Sequence, residues 1–323
     1  MIPALFPLLF GQLSPAGARG RLSILIFHRV LPKLDPLFDD TPDAARFEQQ
    51  LQWVSRWFNV LPLSEAVARL QTGSLPARAL AITFDDGYAD NATVAAPLLR
   101  RFGLTATFFV TTGVIDGGRM WNDTVVEALR GAPEGLMDLA KLGLGRFMLS
   151  DAASRRAAIE QVIGAIKRRP YAERLDLVQR IADAAGVELP TDLMMSAEHL
   201  RRLESLGMDV GGHTVTHPIL RSIDDAAAEK EIARGRDDLS QITGRQINLF
   251  AYPNGVPGVD YDARHVAMVR RCGFVAAVST AHGVATRGAD MFQLPRFTPW
   301  DRSRARYGVR MASNLLRQDF AVA

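Results

Sequence analysis

The sequence has one cysteine, Cys272, in 323 residues, so no intramolecular disulfide can hold the fold. In the setting Arg271-Cys272-Gly273-Phe274 it reads as a small buried residue rather than a nucleophile. No apolar run is long enough to span a bilayer. The opening MIPALFPLLFGQL is apolar but short, with no Lys or Arg ahead of it. Pro3 and Pro7 are expected to interrupt any helix there. It therefore reads as neither an export signal nor a transmembrane segment, which points to a cytoplasmic protein with peripheral membrane contact left open. The formal net charge is only +3, too little for the footprint of a nucleic-acid binder. There is no internal repeat, no low-complexity tract and no histidine after His282. What remains, 48% hydrophobic and 23% charged residues, is the mixture of a soluble, well-cored protein.

Short apolar runs recur, each ending in polar residues. They are Leu22–Phe27, Leu80–Phe84, Thr107–Val110, Met208–Val210, Asn248–Tyr252, Phe274–Val278 and Phe292–Phe297. Helical periodicity lies between them, at Phe47–Phe58, Ala89–Phe102, Ser196–Leu206 and Ala226–Ile242. Strands alternating with helices predict an α/β fold, a parallel sheet with helices outside. In a (β/α) barrel the site lies at the carboxyl ends of the strands. His28, Asp85, Asp86, His213 and the turn Tyr252-Pro253-Asn254-Gly255 all follow an apolar run directly, so they converge on one mouth. We read residues 1–323 as a single domain with its barrel core at about 22–297 and a C-terminal extension at 298–323. The rhythm breaks at 119–195, which is expected to be a helical insertion, either a hairpin on the flank or a lid. Ala157–Lys167 and Ala172–Ala185 are its two clearest helices.

Two clusters carry chemistry. Asp85 and Asp86 stand side by side at a strand end, where paired carboxylates need a cation or hydrogen bonds to compensate them. Alternation along a strand would aim one at a metal and its neighbour at a substrate; the alternative is a helix N-cap. His213 and His217, at i and i+4, can meet on one side of a helical turn, and Gly211-Gly212 gives the backbone room to pass. With Asp86 they make a two-histidine, one-carboxylate set that leaves a coordination position for water. His199, His265 and His282 read as structural or solvated.

The ordered motifs TFDDGY, GGHTVTHPIL and FAYPNG resemble the polysaccharide deacetylase family, also called the NodB-homology or carbohydrate esterase 4 group. The resemblance runs from about Leu22 to Phe297 around the insertion. It implies a distorted (β/α) barrel and hydrolysis of N-acetyl groups on a sugar. It also implies that Asp86, His213 and His217 are metal ligands, Asp85 the general base, and Tyr252 an oxyanion contributor through its backbone N–H. Zinc is the expected divalent metal, with cobalt or nickel as alternatives. Two features depart from the common pattern. Phe250 and Ala251 stand where many members carry an arginine that orients the base, and the late general-acid histidine is missing. The stretch Ile24–Val30 resembles the permuted subgroup that deacetylates poly-N-acetylglucosamine, in which the acid histidine comes early. His28 then takes the acid role, and Arg296 is the candidate for the orienting role. Trp121, Pro253 and Asn254 are candidate substrate contacts, Trp121 as a stacking surface for sugar. The implied partner is an N-acetylated glycan or a lipid-linked glycan precursor. Two other readings stay open, a C–N hydrolase acting on a small amide or nucleotide-linked sugar, and an inactive carbohydrate-binding relative.

Overall fold

The structure is a computed structural model, and residues 5–298, 301–318 and 320–323 are described. The chain begins with α1 (Leu5–Leu13), β1 (Ser23–Phe27), α2 (Ala44–Trp57), β2 (Asn59–Val60), α3 (Leu63–Thr72), β3 (Ala79–Phe84), α4 (Ala96–Arg101) and β4 (Thr107–Val110). A second group follows, α5 (Trp121–Gly131), the strands β5 (Gly135–Asp138) and β6 (Arg146–Leu149), α6 (Ala152–Ile166) and α7 (Tyr171–Ala185). The alternation then resumes with α8 (Ala197–Ser205), β7 (Asp209–Gly212), α9 (Asp225–Thr243), β8 (Leu249–Ala251), α10 (Ala263–Arg271), β9 (Ala276–Val278) and α11 (Arg304–Leu315).

The parallel sheet has the order β1-β3-β4-β7-β8-β9, with β2 pairing the start of β3. β1 and β3 are buried at every position, as expected of strands covered on both faces. Alternation divides their side chains. Ile24, Ala79 and Ala81 join Phe109, Ala251 and Val278 on one face, whereas Leu25, Phe27, Ile82 and Phe84 pack on the other with residues of α2, α4 and α8. The run at 292–297 forms no regular strand, yet it closes the ring. Leu294 bridges Val278 and Phe297 bridges Leu25, both in parallel sense. Phe297 N–H donates to Ile24 C=O (2.8 Å) and Ile26 N–H to Phe297 C=O (3.1 Å). The result is a distorted (β/α) barrel with an extended segment at its seam.

Two expectations change. Pro7 does not interrupt α1, which runs unbroken over Leu5–Leu13; Pro3 lies outside the described residues. Phe6 and Phe10 of this helix pack on Trp57, and Phe10 also stacks on Phe58. The segment 119–195 is not purely helical, because β5 and β6 form an antiparallel hairpin between α5 and α6. Each strand alternates over only four residues, with Met137 and Phe147 buried and Leu136 and Met148 exposed, too short a period to stand out in the sequence. Val125, Leu129, Phe147, Ile159, Val162 and Ile181 give this segment its own apolar cluster. Among the described residues, no helix is long and apolar enough to cross a membrane.

Candidate active site

The first cluster is built by a turn rather than by strand alternation. Asp85 N–H extends the ladder by donating to Phe27 C=O (2.9 Å). Asp86 then takes φ 75°, a left-handed conformation costly for a residue with a side chain, and Gly87 follows at φ 91°. A Cβ on Gly87 would lie 2.8 Å from Val110 Cγ1, so glycine is required by space as well as by backbone. The turn sends the two carboxylates apart.

His213 and His217 also meet without a helix. They lie on a loop after β7 in which Thr214 (φ 66°) and His217 (φ 56°) are left-handed. Glu231 of α9 holds this loop, accepting from the Val215 N–H (2.9 Å), the Thr216 N–H (2.8 Å) and the Thr216 hydroxyl (2.9 Å). At Gly211 a Cβ would stand 2.5 Å from the Phe109 ring, so only glycine lets β7 pass there. His213 Nδ1 lies 2.7 Å from Ala251 C=O, to which it donates, leaving the Nε2 lone pair for the cleft.

Asp86 Oδ1 is 3.4 Å from both His213 Nε2 and His217 Nε2, and one ligand atom from each residue falls within 4.8 Å of the others. Nitrogen and oxygen ligands about 2.1 Å from a common tetrahedral centre stand about 3.4 Å apart, so the donor set fits one divalent cation. Burial alone would raise the Asp86 carboxyl, but the His213 hydrogen bond and the His28 and His217 imidazoles hold it well below the usual carboxylate range. Burial, then the neighbouring His213, pushes His217 down to about 4, which leaves its lone pair free near neutral pH. His213 is drawn upward despite burial, by its bond to Asp86 and by Asp85.

Asp85 is clamped from the seam. Arg296 Nη1 and Nη2 donate to Asp85 Oδ1 and Oδ2, each at 2.7 Å, a bidentate pair almost fully buried. Arg296 is fixed in turn by Ser279 C=O on Nε (2.9 Å) and by the Thr83 hydroxyl (3.2 Å). Burial would raise the Asp85 carboxyl, but the Arg296 charge and hydrogen bonds outweigh it and keep it ionised. His28, by contrast, is exposed just beyond β1. Its backbone is pinned by Asn91 Nδ2 on its C=O (2.8 Å), and Asp90 accepts from the next residues, Arg29 Nε (2.8 Å) and Val30 N–H (3.0 Å).

A cleft of about 290 Å³ brings together His28, Asp85, Asp86, His213, His217, Trp121 and Asn254. Two expected residues do not reach it. The Tyr252 N–H donates to Val278 C=O (3.3 Å) as part of the sheet, and its side chain is buried, stacked on Tyr261 with the hydroxyl on Phe292 C=O. The sheet therefore uses the N–H that an oxyanion would need. Pro253 is buried and does not line the cleft, whereas Asn254 (φ 57°) does. Trp121 lines the cleft half-buried, with the Arg174 guanidinium 4.8 Å from its ring centre. His199 and His265 each complete a helix-capping box, and His282 lines a separate surface pocket. Glu231, Asp90 and Asn91 were not legible as site residues. Asp90 and Asn91 come three and four residues after Gly87, the one signal that could have drawn attention to them.

The sequence profile of the family described as Polysaccharide deacetylase matches residues 72–144 and 190–277. The gap at 145–189 falls on β6, α6 and α7. The YxkH protein of Bacillus subtilis (strain 168) is 19% identical over 252 residues, 77% of this chain; the chain spans 62% of that relative's length. In fold the chain is similar to the Streptococcus pyogenes deacetylase PplD, solved with acetate, at TM-score 0.58 and 19% identity over 86% of this chain and 92% of that one. It is similar to IcaB from Ammonifex degensii at TM-score 0.57 and 19% identity, over 94% and 98% of the two chains. With the three sequence motifs gathered at one barrel mouth and the family profile matched on both sides of α6 and α7, the chain belongs to the polysaccharide deacetylase family.

Proposed function

We propose that this protein is a metal-dependent hydrolase that removes N-acetyl groups from an amino-sugar-containing glycan or glycan precursor, with zinc as its metal. The observation that carries the reading is the Asp86, His213 and His217 cluster lying beside a carboxylate clamped by Arg296. In this reading Asp86, His213 and His217 hold the cation, which when bound polarises the acyl carbonyl and lowers the pKa of water.

The remaining steps belong to the chain's own side chains. Asp85, ionised and oriented by Arg296, takes a proton from the attacking water as its oxygen bonds to the acyl carbon. His28, on the exposed side of the cleft, gives a proton to the amide nitrogen as the carbon–nitrogen bond breaks, so that acetate and a free sugar amine leave. Asn254, rather than Tyr252, is the residue of its turn placed to meet the developing oxyanion. Trp121 offers a half-buried ring to the sugar.

The test is acetate release from N-acetylglucosamine oligomers and their glycosides by the purified full chain, before and after chelation and on addition of zinc, cobalt or nickel. Release that stops on chelation, returns with metal and is lost in Asp85→Asn is the expected result. Full release by metal-free protein would overturn the metal-dependent reading.

A further inference from the structure

A second cavity, of about 650 Å³, opens beside the cleft and shares His28, Asp86, Asn122 and Ile163 with it. One wall is the segment between β1 and α2, and the other is α5 with α6. Part of this cavity is therefore built by α6, in the segment that the family profile leaves unmatched.

Its surface is apolar where it is unoccupied by the protein's own charges. Leu31, Phe38, Pro42, Val126, Ile159 and Ile163 line it. Most charged groups at its edge are already engaged, although Asp123, which also lines it, keeps one oxygen without a hydrogen-bond partner among the described residues. Arg130 pairs with Asp35 (2.7 Å) across the two walls, and Arg29 pairs with Asp90 (2.8 Å). Asp40 (3.4 Å) and Glu160 (2.9 Å) are held by Arg156, which is not a lining residue. A concave apolar space of this size, continuous with a reactive centre, is the form of a small-molecule subsite. Thr41, Gln50, Asn122 and Asp123 also line the cavity, but an oligosaccharide would leave the apolar stretch of Leu31, Phe38, Pro42, Val126, Ile159 and Ile163 unmatched, whereas a hydrocarbon chain matches it.

We infer that this cavity binds an alkyl chain carried by the substrate while the N-acylated amino sugar sits in the cleft. The inference rests on the deacetylase reading for the sugar, but not for the chain. Because the cavity meets the cleft at His28 and Asp86, the alkyl chain enters next to the scissile amide, either as the aglycone of the sugar or as its N-acyl group.

Gly164 supplies the test. It lies on α6 and lines the cavity, and a Cβ there would meet nothing within 4 Å. Gly164→Phe should therefore fill the space while leaving the helix at least as stable. Binding to the full chain is measured by calorimetry for three ligands below their micelle concentrations. These are methyl and octyl β-glycosides of N-acetylglucosamine, and the methyl glycoside of N-octanoylglucosamine. One of the octyl ligands should bind on the order of 10²-fold tighter than the methyl glycoside, since each buried methylene contributes about fourfold before ordering costs. A gain for the octyl glycoside identifies an aglycone chain, and a gain for the N-octanoyl ligand identifies an acyl chain. Gly164→Phe on α6, and Val126→Trp on α5 of the same wall, should abolish most of that gain with methyl glycoside affinity and thermal unfolding unchanged. Equal affinities for all three ligands in the unaltered protein, or a gain that survives in both folded variants, overturns the inference. Acetate release is read separately; a retained alkyl gain without any release would sink the deacetylase reading and leave the cavity standing.

Discussion

At the scale of single residues, the site is governed by which charges are compensated. Asp85 and Arg296 neutralise each other inside the barrel, and Arg296→Met would leave a buried carboxylate unpaired, at a cost of about 3–5 kcal/mol in stability. Arg296→Lys keeps a charge but not the two-pronged grip. Its expected signature is an acid limb of the pH–rate profile displaced to higher pH, with cation content unchanged by elemental analysis. The sign follows from the depressed Asp85 carboxyl. The native pair stabilises the fold above the ordinary carboxylate pKa and loses that contribution as pH falls through the lowered one. Asp123 behaves in the opposite sense. Burial, only partly offset by Arg29, pushes its carboxyl up to about 7, and one of its oxygens has no hydrogen-bond partner among the described residues. Folding therefore favours its proton, so stability should decline as pH rises from about 4 to about 7. Asp123→Asn should flatten that decline, as measured by urea unfolding at pH 5 and pH 8; an unchanged slope would remove Asp123 as its source. His28 is tested by its chemistry rather than its charge. His28→Ala should slow hydrolysis of an N-acetyl sugar by roughly 10²–10⁴-fold but spare an activated acetyl ester, whose leaving group needs no proton. Equal losses on both substrates, or loss of metal, would take the acid role from His28.

Individual elements decide how the ligands are presented. The histidine loop depends on α9, because Glu231 takes up two backbone N–H groups and a hydroxyl of a turn containing two left-handed residues. Glu231→Ala removes no ligand, yet cation affinity should fall by about 10- to 100-fold, the usual effect of losing a residue that orients ligands. Competition against a zinc-binding dye would measure it, and unchanged affinity would show that the loop holds its shape unaided. The same loop marks the limit of what the sequence disclosed. That Asp86, His213 and His217 would lie together was readable because metal chemistry restricts donor types and because the order of their motifs resembles the family's. The helical turn inferred for the two histidines was wrong, since an i, i+4 spacing says nothing of the left-handed φ values at Thr214 and His217. Nor could the sequence say that the Tyr252 N–H is used by the β8–β9 ladder, because register is a property of two strands together. Thr107–Val110 was placed at its observed bounds, whereas the four-residue alternations of β5 and β6 were missed.

For the molecule as a whole, strand order is what makes distant residues neighbours. β1 and β3 are adjacent, so the loop carrying His28 and the turn carrying Asp85 leave the sheet side by side. The segment Leu294–Phe297 is the least regular part of the ring, and the run at 292–297 counted as a strand in the sequence reading is held instead by isolated bridges. Its position nevertheless gives the protein a temporal property. The three proposed cation ligands, and Ala251 on whose C=O His213 Nδ1 rests, have all been synthesised by residue 251, whereas the guanidinium that clamps Asp85 arrives at residue 296, with barrel closure. On the ribosome, a nascent chain could thus load its cation before its base is in register. Under the proposed function, such a chain would hold its cation without an ordered base, and hydrolysis would begin only once the seam at Leu294–Phe297 has closed.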